Sequence, residues 1–539
     1  MFYKMPAVIV LALAAAIPVF AKDFGLPDSL AGFSLTESDR IQLHPGLVFY
    51  SLSHSSGNDQ YVLSGPLTSM QDASHQMVQV NAVLDTNKDS VFEAEVENAG
   101  AIGKDNFDVG YRLVVSGFAN PVVAQQVLHD LGEHANKFTI HHHSSFPGTP
   151  ANQQLSVLEV IPEKFRGSVQ MKLAKDQVEG VEVVSEMVAR TSAVAGVNGG
   201  FFVYKKALGV IGDPAGLAII NGQLISEAVA HRPALLIQQE PQLRFEVLPD
   251  VTTQLRLQAE GRSLPVNGIN REPGKVFNCG FYKEASLVSS AHDTVCHSLD
   301  EIVVLTSDYG QLPDLSPLAA MAYIDHAGQI KPVSTFEKKA LPEKHLLVIA
   351  TGDKRQALTR FTASSDSATM EFEVFSNGEL VTIDAGTSLI NGGPTLLLNG
   401  AKPVDLWQQE GWSPLHAEGV LSQDEKDDIA SDPVARGKRA VFFDGWVNKR
   451  HPRTAVGIAP DGTAYFVVAY GRDPTKSAGL TIYEMAQVLS DLGAVRAINL
   501  DGGGSSVMIV NGKATGMPSD RSGERAVADA LLVLPPSED

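Results

Sequence analysis

Three widely separated stretches of the chain repeat one pattern: an apolar run, an Asn or Asp, two or more glycines, and a second run ending in Asn-Gly. The first is Val197-Asn198-Gly199-Gly200-Phe201, with Asn221-Gly222 beyond it. The second is Leu389-Ile390-Asn391-Gly392-Gly393-Pro394, closing at Asn399-Gly400. The third is Ile498-Asn499-Leu500-Asp501-Gly502-Gly503-Gly504-Ser505-Ser506, closing at Asn511-Gly512. Asn-Gly is the residue pair of tight turns between strands, so the pattern predicts hairpins and a strand-rich fold. Turn chemistry accounts for the three closing Asn-Gly pairs. It does not account for three consecutive glycines after Asp501, each of which costs about 0.5–1 kcal/mol of chain entropy relative to Ala in a regular element. What a glycine run supplies is backbone that a ligand can approach closely, with N–H groups able to cradle an anion.

The N-terminus sets the expected compartment. Lys4 precedes an apolar run from Met5 to Phe20, and Val19-Phe20-Ala21 fits a signal-peptidase site. The run is shorter than the ~20 apolar residues of a membrane span. The expectation is an exported protein, periplasmic or extracellular, with no membrane segment after cleavage. The formal charge of −20, from 42 basic and 62 acidic residues, argues against nucleic acid as a partner. Cys279 and Cys296 are the two cysteines, and in an oxidising compartment they read as one disulfide.

The organisation predicted is α+β: N-terminal strands over residues 22–69, a small α+β insertion over 70–145, and a strand-rich unit over 155–534. Within the insertion, residues 111–118 alternate like a strand. Val122, Val123, Gln126, Val127 and Leu131 then fall at helical spacing, and Phe138 to His143 reads as another strand. This strand–helix–strand segment either resembles a SPOR domain, a module that binds peptidoglycan, or is a plain α+β insertion. His141-His142-His143 cannot all face one ligand on a strand, because side chains alternate, so no metal site is expected there. Residues 424–432 read as a charged surface loop.

Near the third glycine stretch, Thr481 and Glu484 form a capping box for a helix whose buried stripe is Ile482, Met485, Leu489 and Leu492. Glu484 is therefore read as a cap. Arg453, at the start of an apolar strand, is a natural phosphate ligand if it lies beside a glycine nest. No P-loop, G-x-S-x-G or H-E-x-x-H motif is present.

In order along the chain, residues 196–202, Arg232-Pro233-Ala234-Leu235, Asn391-Gly392-Gly393-Pro394, Arg453-Thr454-Ala455-Val456-Gly457, residues 477–506, Pro518-Ser519-Asp520 and Gly523-Glu524-Arg525 resemble the phosphodiester glycosidase family. One departure stands out: family members usually carry an Asp before the glycine that here is Gly471, and this chain has Tyr470. The resemblance implies a hydrolase that removes the sugar from a sugar-1-phosphodiester. It implies Asp501 as nucleophile or general base, and Arg453 with the Gly502, Gly503 and Gly504 amides on the phosphate. Ser505 and Thr454 join the substrate contacts, and Asn198, Gly199, Gly200, Asn391 and Gly392 meet sugar hydroxyls or orient Asp501. No cofactor is required by these residues, and a divalent metal stays open. The alternatives are an envelope protein that binds glycan without cleaving it, or a phosphoesterase.

Overall fold

The structure, a computed structural model, describes residues 36–536 apart from 57–59, 86–91, 100, 103–104, 107–108, 280–291, 314–318, 334–339, 411 and 413–436. The leader read at residues 1–21 and the charged loop at 424–432 lie outside the described residues. Among the described residues, no helix is long and apolar enough to cross a membrane.

A seven-stranded antiparallel sheet forms the centre. Its spatial order is Thr36–His44, Leu47–His54, Gln153–Val160, Ala464–Ala469, Arg453–Ile458, Arg496–Asn499 and Thr395–Leu397. The strands Arg453–Ile458 and Ala464–Ala469 are buried at every residue. After Arg453 and Thr454 they therefore read as nearly continuous apolar runs, because both faces of the sheet are covered. The capped helix Ile482–Asp491 covers one face through Met485, Leu489 and their neighbours. Two five-stranded sheets cover the other, joined to it in one core through Phe49, Val197, Leu235, Val456 and Phe466.

The two covering sheets carry the first and second glycine motifs, while the third follows strand Arg496–Asn499 of the central sheet. Strand Ala195–Asn198 lies between Asp529–Leu534 and Met508–Val510. Strand Thr387–Asn391 lies between Ala218–Ile220 and Ala234–Gln238. A further lobe, from residues 251–381, packs a four-stranded and a five-stranded sheet with helix Lys354–Ala363 around a core it shares with the covering sheet through Ile219, Leu236 and Leu389.

Between strands Leu47–His54 and Gln153–Val160 the chain forms a four-stranded sheet, ordered Glu93–Asn98, Tyr111–Phe118, Tyr61–Ser64, Thr139–His142, against helices Met70–Leu84 and Pro121–Leu131. The helix read over residues 121–131 is present with those bounds. The sheet takes its strand Tyr61–Ser64 from before residue 70, while residues 36–54 belong to the central sheet. The helix Pro121–Leu131 buries Ala124, Val127 and Leu131, whereas Val122 is 75% exposed. The Asn120 side chain accepts from the amides of both Val122 and Val123, which places these residues in the first turn, on its solvent side.

Candidate active site

The three glycine stretches converge on one spot. The Asp501 amide donates to the Gly199 carbonyl at 3.1 Å, and the Gly393 amide donates to the Asn499 carbonyl at 2.7 Å. Glycine is required where the strands crowd. A Cβ on Gly199 would lie 1.8 Å from Asp529 Oδ1, and one on Gly392 would lie 2.5 Å from the Asn499 carbonyl.

Asp501, at the end of the strand Arg496–Asn499, lines a cavity of about 500 Å³ together with Ser505 and Arg525. One carboxylate oxygen of Asp501 accepts from the Gly502 amide at 2.8 Å. Removal from water pushes its pKa up to about 6, against the opposing pull of the Ser505 hydroxyl, the Gly502 amide and the Arg525 charge. The opposite wall is aromatic. Trp412 and Trp446 stack at 4.5 Å between ring centres, Phe442 stacks on Trp446 at 5.7 Å, and Phe201 lies 5.8 Å from Trp412.

Asn198 and Asn391 stand behind this wall. Asn198 is fully buried: its amide donates to the Asp501 carbonyl at 2.8 Å, and its oxygen accepts from the Thr454 hydroxyl at 2.7 Å and the Val507 amide at 3.2 Å. Asn391 accepts from the Phe201 amide at 2.9 Å and donates to the Phe201 carbonyl at 3.3 Å. Asn198 thus bonds the main chain of Asp501 and Asn391 that of Phe201, and neither side chain lines the cavity. Thr454, also buried, fixes Asn198.

The anion-binding half departs from expectation. The Gly502 amide is taken by Asp501, and the Gly503 amide donates to the Pro452 carbonyl at 2.8 Å. These two amides are not an open nest. Arg453 is 1% exposed, and its guanidinium donates to the carbonyls of Leu480, Trp446 and Lys449 while lying over the Trp446 ring. Burial lowers its pKa to about 9. It shapes the wall from behind. The solvent-facing arginines are Arg525 and Arg472, both gathered by Asp520 at 2.7 Å and 3.7 Å. They sit over the glycine loop: a Cβ on Gly504 would meet Arg525 Nη2 at 2.1 Å, and one on Gly503 would meet Arg472 Nη2 at 3.0 Å.

Further features were missed in the sequence. Asp529 is buried behind Gly200, whose amide it accepts at 2.8 Å, and burial raises its pKa to about 7, with the Asp501 charge adding to the shift. A lone Asp heading the apolar strand Asp529–Leu534 was the available signal. Glu484 caps its helix as read, and it also pairs with buried Arg450 at 2.6 Å. Tyr470 points away from the cavity into the core and its hydroxyl bonds Thr515 at 2.8 Å. Cys279 and Cys296 are joined as a disulfide.

The family model for phosphodiester glycosidases matches residues 334–534. An SPbeta prophage-derived uncharacterized protein of Bacillus subtilis (strain 168) is 41% identical over 93 residues, 17% of this chain and 14% of that one. The N-acetylglucosamine-1-phosphodiester alpha-N-acetylglucosaminidase of Mus musculus is 42% identical over 78 residues, 14% of this chain and 15% of that enzyme. The chain thus matches about one-seventh of the length of these relatives. A solved structure from Burkholderia pseudomallei K96243, described as an exported protein, is 27% identical. It superposes with a TM-score of 0.75 over 95% of this chain and 100% of the other. The stretch that matches the phosphodiester glycosidase family, residues 334–534, is the one that carries Asp501 and the arginines above its loop.

Proposed function

We propose that this chain is an exported hydrolase that cleaves the glycosidic bond of a sugar-1-phosphodiester, releasing free sugar and a phosphomonoester. The observation that carries the reading is Asp501, set in an aromatic-walled cavity beside Arg525. The Trp412, Trp446 and Phe201 faces suit the apolar face of a sugar ring. With a pKa of about 6, Asp501 is ionised at neutral pH and serves as the nucleophile toward the anomeric carbon. The group that departs is a phosphate ester, already stable as an anion. It needs less proton donation than an alcohol and more positive charge in place when it leaves. Arg525 and Arg472, held as a pair by Asp520, supply that charge, and a guanidinium fork can grip two phosphate oxygens at once.

Export rests on the leader-like run over residues 1–21 and on the similarity to a protein described as exported. Tyr470 stands outside the cavity lining, so this departure from the family pattern leaves the proposed nucleophile and the paired arginines intact.

Product analysis after incubation with a sugar-1-phosphodiester, with and without chelator, tests the reading. Free sugar plus a phosphomonoester supports it. Free alcohol plus sugar phosphate indicates a phosphoesterase, and binding without products indicates a glycan-binding protein.

A further inference from the structure

A second carboxylate borders the same cavity from an element the glycine motifs do not include. Strands Lys275–Phe277 and Val295–His297 pair as a short hairpin, and the Cys279–Cys296 disulfide clamps it one residue beyond Asn278. Asn278 and Asp293 both sit in the left-handed region, at φ +58° and +57°. Asp and Asn tolerate this backbone better than most residues, and here it is locked. The Asn278 side chain accepts from the Asp293 amide at 3.0 Å, and the Asn278 carbonyl accepts from buried Arg232 at 2.8 Å. Next to Asp293, His292 is stacked against Trp412 of the aromatic wall. These contacts hold Asn278 and Asp293 together and present Asp293 at the open side of the cavity that Asp501 lines. Asp293 is close enough to Asp501 for its charge to raise the pKa of Asp501.

We infer that Asp293 is the second catalytic carboxylate, the base that activates water in the second half of the reaction; this rests on the glycosidase reading above. In the first half, Asp501 bonds to the anomeric carbon and the bond from that carbon to the phosphate oxygen breaks, its electron pair leaving with the phosphate. In the second half, a water oxygen bonds to the anomeric carbon. The bond to Asp501 breaks, its electron pair returns to the carboxylate, and the water proton passes to Asp293 and then to solvent. A phosphate leaves without much acid help, so Asp293 matters chiefly in the second half. Its exposed position suits a group that must exchange water and protons with solvent.

The test is a pre-steady-state measurement of phosphomonoester release from a sugar-1-phosphodiester by wild type, Asp293→Asn, Asp293→Gly and Asp501→Asn. Asn and Gly both accept the left-handed backbone, so the Asp293 variants should melt like wild type. We expect each to release one equivalent of phosphomonoester in a burst and then turn over roughly 10²–10⁴-fold more slowly. Sodium azide, which needs no base, should restore turnover of Asp293→Gly and yield a glycosyl azide, while Asp501→Asn shows no burst. Asp293 variants that keep turnover within a few-fold of wild type overturn the inference and leave the glycosidase reading standing. So do variants that lose the burst and ignore azide. A wild-type protein that releases no phosphomonoester overturns the reading itself.

Discussion

The side-chain amide of Asn198 donates to the main-chain carbonyl of Asp501 at 2.8 Å, across 303 positions of sequence. With its oxygen taken by Thr454 and Val507, the buried Asn198 amide ties the first glycine stretch to the third. Asn198→Ala leaves an amide and a hydroxyl without their acceptor. It should cost on the order of 3 kcal/mol in a denaturant titration. Because it frees the Asp501 backbone, it should also lower kcat more than it raises KM. A variant with unchanged kcat would mean that Asp501 is held by other contacts.

Arg525 and Arg453 should separate cleanly. Arg525 is 44% exposed and held by Asp520, so Arg525→Ala should raise KM for the phosphodiester about tenfold or more with a melting temperature close to wild type. Arg453 is buried on three carbonyls, and Arg453→Lys cannot reproduce that fork. It should lower the melting temperature by several degrees. If the two variants exchange these phenotypes, the phosphate is held by Arg453.

Two buried carboxyls set opposite demands on pH. Asp501 must be ionised to attack, so kcat/KM should rise with pH through about 6 and level off above it. Asp529, with its native pKa raised to about 7 by burial, binds its proton more tightly folded than unfolded. Its contribution to stability is complete below about 4, the unfolded carboxyl value, and is lost as pH rises through 7. At roughly 1.4 kcal/mol per unit, the loss amounts to a few kcal/mol. Asp529→Asn should therefore flatten the decline of melting temperature between pH 4 and 7. A wild-type and variant pair that decline in parallel would rule this out.

The small four-stranded sheet is fastened to the aromatic wall. Arg112, 2% exposed, donates to both oxygens of Asp444 at 2.9 Å and to Glu97 at 2.9 Å. Asp444 lies in the turn Phe443–Asn448 that carries Trp446, and Asn448 donates to the Ala99 carbonyl. Arg112→Met removes the bidentate partner of buried Asp444, leaves only Lys449 at 3.8 Å, and should cost about 3 kcal/mol. It should also shift tryptophan emission, since Trp446 rides on the same turn. No change in stability or emission would show that the sheet and the wall are independent.

The glycine motifs were legible because turn chemistry and backbone approach leave few alternatives to glycine, and the structure brings all three to Asp501. The Thr481–Glu484 cap was legible because it is local. What escaped the sequence depended on long-range contact. Nothing near Tyr61–Ser64 in the sequence marks that four-residue strand as part of a sheet completed by residues 111–118 and 139–142. Arg453 and Arg525 look alike as letters, and only the carbonyls around one and the solvent around the other tell them apart. The aromatic wall brings Phe201 and Trp412, from distant segments, to Phe442 and Trp446, which lie four residues apart in one helical stretch. Tyr470, read as a departure from the family pattern, is a core residue.

The most direct test is the position of isotope after hydrolysis in ¹⁸O-labelled water. Cleavage between the anomeric carbon and oxygen places the label on the sugar hydroxyl and leaves the phosphomonoester unlabelled, and Asp501→Asn should abolish the labelled sugar while still binding substrate. Label recovered in phosphate, or an Asp501→Asn variant that labels sugar at the wild-type rate, would contradict the account.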